Sequence, residues 1–133
     1  MSTRETILAA FATQLAGVAG GRVYRSRREQ IGTLPAVIVS PDSASGEEFV
    51  LGSTDHDLTV AVFILAKGDT PDSAADATVV AVHAAIMGAT DLGLGSDVQV
   101  SQRFETEWDF EDYDYVRVIL RYRVSYRTNS GGF

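Results

Sequence analysis

The chain has 133 residues, of which 45% are hydrophobic and 22% charged, enough for one buried core and short for two. Eighteen acidic against eleven basic residues give a net charge of -7, which disfavours a protein that coats nucleic acid through a basic surface. There are no cysteines, so disulfides, thiolate catalysis and sulfur-ligated zinc are excluded.

The opening residues Met1-Ser2-Thr3-Arg4-Glu5 lack the basic-then-apolar pattern of a signal peptide. No apolar run reaches the roughly twenty residues that span a bilayer. The expectation is a single domain over residues 1–133 that folds in the cytoplasm, with no membrane partner.

Ser2 followed three residues later by Glu5 is a capping-box pattern, and Ile7, Leu8, Phe11 and Leu15 recur on one helical face. These predict a helix over residues 3–15, ended by Gly17, Gly20 and Gly21. Val23-Tyr24-Arg25 reads as a short strand and Pro35 to Val39 as a second. Residues 42–57 are polar and small except for Phe49-Val50-Leu51, so the expectation there is a long loop around one apolar triplet. An exposed triplet of this kind suits a contact with a neighbouring protein.

Residues 58–66 are mostly apolar on both faces, as a strand in the middle of a sheet would be. Thr70-Pro71-Asp72 supplies an N-cap, a proline at the first helical position and an early acid, predicting a helix to about Met87. That helix is apolar nearly all round, which fits either close packing within the chain or a subunit contact.

In the last third, Val98, Val100, Phe104 and Trp108 share one parity, as do the even positions from Val116 to Tyr126, and the other parity carries arginines. This predicts a long hairpin. With residues 109–113 as its connection, Phe104 would face Val118, Val100 would face Tyr122, and Glu105 would face Arg117. Fourteen residues of strand span about 46 Å against a domain diameter of about 36 Å, so part of the hairpin should project.

The chemical candidates are thin. Asp55-His56-Asp57 could hold a metal, but neighbours on a strand point to opposite faces, so no metal site is expected. His83 reads as a packed histidine bonded to a carbonyl. Gly88, Gly93 and Gly95 follow a helix instead of opening one, so no nucleotide fingerprint is present and no cofactor is expected.

Charge is segregated instead: Arg22, Arg25, Arg27 and Arg28 come early, and six acids fall between Glu105 and Asp114 among Trp108 and Phe110. One molecule thus carries both halves of a head-to-tail electrostatic contact, with Arg117, Arg121 and Arg123 as further interface candidates. Intrachain pairing across the sheet is the alternative.

The order of these elements, with Leu34-Pro35-Ala36-Val37-Ile38-Val39, the strand ending in Lys67-Gly68-Asp69, the helix around Val82-His83-Ala84-Ala85-Ile86-Met87 and the closing Arg121 to Thr128, resembles the tail terminator proteins of long-tailed phages. These are relatives of the lambda minor tail protein U, with counterparts in gene transfer agents. The resemblance implies an α+β fold, a mostly antiparallel sheet with two helices packed on it. It also implies a non-enzymatic virion protein at the junction of tail and neck, assembled in the host cytoplasm. Its partners would be further copies of itself in a ring of six, the tail-tube protein and a head-completion or connector protein, with DNA only in transit through the lumen. Another ring component of the neck shares the same physics, and a small ligand-binding domain is the reading of a different class.

Overall fold

In a computed structural model, residues 2–25, 34–50, 52–95, 98–112 and 115–129 are described. Helix α1, Thr3–Gln14, starts where Glu5 N donates to Ser2 Oγ (3.1 Å). Only half of the capping box forms, because the Glu5 carboxylate turns away to accept both terminal nitrogens of Arg25 (3.1 and 3.2 Å). The chain then reverses through Gly20 and Gly21, whose φ angles of 64° and 86° favour glycine. Strands β1 (Val23–Arg25), β2 (Ala36–Val50) and β3 (Ser53–Lys67) follow, then helix α2 (Pro71–Met87) and strands β4 (Val98–Asp112) and β5 (Tyr115–Asn129).

The sheet order is β1-β2-β3-β5-β4. β1 runs parallel to β2, and every other pairing is antiparallel. The fold is therefore α+β with a C-terminal hairpin, and β3 is central, as its two apolar faces require. Both helices pack on one face, where Ile7, Phe11, Leu15, Val82 and Ile86 meet the even-numbered residues of β3 and β5. Tyr122 is the largest fully buried side chain. Its hydroxyl shares a hydrogen bond with His83 Nδ1 (3.0 Å), so the buried oxygen is satisfied. His83 thus bonds a tyrosine and not the expected carbonyl. Thr70 precedes α2 but makes no side-chain cap bond; Pro71 and Asp72 carry that end.

The expected loop at residues 42–57 is instead the outer part of two fifteen-residue strands. A strand needs backbone partners more than an apolar face, and this stretch has them. Ser43 to Glu48 pair with Thr59 to Thr54, and residues 53–57 pair on their other side with residues 125–129. Polar side chains take over where the helices stop. Arg127 donates to both oxygens of Asp55 (2.7 and 3.3 Å), and Ser125 Oγ donates to Asp57 Oδ1 (2.8 Å). On the other face His56 stacks on Tyr126 at 4.7 Å and bonds Thr128 Oγ1 at 2.8 Å. Gly46 lies opposite His56, and a Cβ there would come within 3.1 Å of the ring. Each such cross-strand pair contributes roughly 0.2–1 kcal/mol.

The C-terminal hairpin also differs in register. Phe104 faces Tyr122, Val100 faces Val124, Glu105 faces Arg121, and Arg117 faces Asp109. Every shift is an even number of residues, because parity is set by the apolar face and a slip of one would turn all side chains over. β4 continues to Asp112, so residues 109–112 are strand and not the expected connection, and an irregularity between Val100 and Phe104 adjusts the remainder.

Candidate functional site

On the face of the sheet away from the helices, β3, β4 and β5 present their odd-numbered residues. Ala61, Leu65 and Ile119 are buried there although both helices lie on the other side. Their cover is charged. Arg117 Nη2 donates to Asp109 Oδ2 at 2.6 Å, and its guanidinium lies 5.7 Å from the centre of the Phe63 ring. Arg121 reaches Asp42 on β2 (3.5 Å) and Glu107 on β4 (3.7 Å). Arginine stems lie along apolar surface while their heads pair with carboxylates in water. A ridge of arginines on β5 thus sits between acids on both sides.

Arg123 departs from this pattern. It faces Thr59 on β3, and on its other side β4 has the irregularity between Val100 and Phe104. A matching irregularity between Pro41 and Ser43 breaks β2 at the same height. Between the two breaks opens a concavity of about 660 Å³ lined by Asp42, Thr59, Ser101, Glu105, Arg121 and Arg123 among others. Among the described residues Arg123 forms no ion pair.

The second feature is the β4 edge. Phe104, Trp108 and Phe110 point to the helix side yet are 45%, 53% and 56% exposed. Phe104 packs on His83 at 4.3 Å. Trp108 and Phe110 form a groove of about 500 Å³ with Asp72, Ser73 and Asp76 of α2. The backbone groups on the outer side of β4 have no strand beside them in the sheet order. Val80 on the outer surface of α2 is 60% exposed, so the apolar surplus of that helix faces outward in part.

The candidates from the sequence therefore separate. Trp108 and Phe110 come together at one edge. Arg117 and Arg121 are paired within the chain, the alternative reading of their charge. Arg25 is paired with Glu5, and its hydrogen bonds hold the Glu5 carboxyl below the usual range. Phe49 and Val50 belong to β2 by their backbone and not to a loop; their side chains, and Leu51, Arg27 and Arg28, lie outside the described residues. The sequence reading missed Phe104, Asp72 and Asp76 as edge residues. Phe104 shares parity with Trp108, which is the signal that could have found it. Among the described residues no three His, Cys, Asp or Glu side chains group as metal ligands.

The sequence matches no protein-family model and no curated protein. The fold does have solved counterparts. One is a chain in the virion of a native gene transfer agent particle, with a TM-score of 0.56 and 23% identity over 92% of this chain and 95% of that one.

Proposed function

We propose that this chain is a non-enzymatic structural protein of a phage-like particle, acting as a tail terminator: a ring, of six copies in the family it resembles, that caps the tail tube. The observation that carries the reading is the shared fold with a gene transfer agent virion chain over nearly the whole of both. The order of elements that resembles the terminator family supports the finer assignment. The ring would stop tube growth because one face fits the last tube ring while the other offers no template for another tube subunit. That second face would receive the head-completion protein.

The helix-free face, with its arginine ridge, is the side we assign to the lumen through which DNA passes. Arg123, opposite Thr59 on β3, is the arginine of that ridge that forms no ion pair among the described residues. The test is to add the protein to polymerising tail-tube protein and measure tube length by electron microscopy and particle mass by light scattering. Tubes of limited length bearing a ring of this protein are expected. Tubes that grow as though it were absent would refute the assignment.

A further inference from the structure

We infer that the β4 edge of one copy receives the β1 end of a second copy, side by side in the same sheet layer, with the aromatic groove taking an arginine. The inference rests on the ring reading above and names the surfaces that close the ring.

Three independent observations point to a second copy. The first is height. Following the pairings across the sheet, Tyr24 faces Ile38, Ile38 faces Phe63, Phe63 faces Ile119, and Ile119 faces Glu107. The row on one side runs from Val23 to Trp108, and the row on the other from Arg25 to Thr106. Rotation about a ring axis along the strands preserves height, so β1 of one copy meets residues 106–108 of the next.

The second is strand sense. β1 is parallel to β2, and three antiparallel pairings separate β2 from β4. β4 therefore runs opposite to β1, and rotation brings the two outer strands of the sheet order together as an antiparallel pair, whose backbone groups can bond.

The third is chemistry. Residues 22–28 contain four arginines and no acid, while residues 105–114 contain six acids and no base. Arg25 lies in the same row position as Val39, which faces the helix side, and the groove of Trp108, Phe110, Asp72 and Asp76 opens on that side too; entering it, Arg25 would exchange its exposed pair with Glu5 of its own chain for the neighbour's groove. An aromatic wall with carboxylates beside it suits a guanidinium, by cation–π attraction and ion pairing together.

The chain has no cysteine, so any disulfide between two single-cysteine variants is intermolecular. Tyr24→Cys and Glu107→Cys are mixed and oxidised, alone and on tail-tube protein, with Ser43→Cys plus Glu107→Cys as the mismatched height. Arg25→Cys with Thr106→Cys is a second matched pair in case Tyr24→Cys does not fold. Light scattering of the unmodified chain runs alongside.

Cross-linking at least tenfold faster in a matched pair than in the mismatched one is expected, as is at least tenfold weaker association of Trp108→Ala. If the chain assembles and the matched pairs do not outpace the mismatched one, the edge assignment falls and the ring reading stands. If the chain stays monomeric in both settings and no pair cross-links, both fall.

Discussion

On the helix-covered face Val60, Val62 and Tyr122 are fully buried, and on the opposite face Ala61, Leu65 and Ile119 are nearly as deep. The first set is covered by helix side chains such as Phe11 and Ile86. The second is covered by arginine stems held down by Asp109, Glu107 and Asp42. Equal burial therefore does not mean equal energetics. Apolar packing yields about 1.5–3 kcal/mol for each large side chain, whereas exposed ion pairs yield roughly 0–1 kcal/mol. A roof of charged side chains can also be lifted by a partner without breaking the core.

The sharpest way to break this contrast is Tyr122→Ala. It removes the largest buried ring and leaves His83 without its partner, and urea unfolding should show a loss of about 3–5 kcal/mol. Tyr122 also contributes to the alkaline side of the stability profile, as does the buried Tyr126. Burial raises the Tyr122 hydroxyl pKa above the ordinary value near 10. The stability it contributes is complete below about pH 10 and declines as the pH rises beyond that, while the unfolded tyrosine ionises. Tyr122→Phe should flatten that limb of the stability profile.

A smaller effect sharpens the account of the roof. Arg117→Ala should cost about 1 kcal/mol in urea unfolding, and Arg117→Met, which keeps an apolar stem over Phe63, should cost less. Equal losses would mean that the charge and not the stem does the covering.

The smallest effect lies on the acid side. Hydrogen bonds from Arg127 and from Arg25 lower the pKa values of Asp55 and Glu5. Their contribution is present above the ordinary carboxylate range and lost as the pH falls through the lowered values. Both groups are solvent-exposed, so Asp55→Asn and Glu5→Gln should change the melting temperature at pH 7 only slightly and flatten the acid limb.

The periodicity of Ile7 to Leu15, the Thr70-Pro71-Asp72 start and the parity of β5 were enough to place both helices, the central strand and the inward face of the hairpin. Each is a local pattern, set by which side chains avoid water. The polar strands at residues 42–57 were not legible, because their partners are backbone groups far away in sequence. The hairpin register was not legible either, since parity leaves every even shift open and it is the pairing carried as far as Asp112 and Tyr115 that chooses among them. The edge aromatics were visible as a cluster of Trp108 and Phe110. That they share a groove with Asp72 and Asp76, and that β1 lies at the same height on the far edge, follows from strand order. Composition and spacing act within a few residues, whereas strand order is decided by contacts across the whole chain.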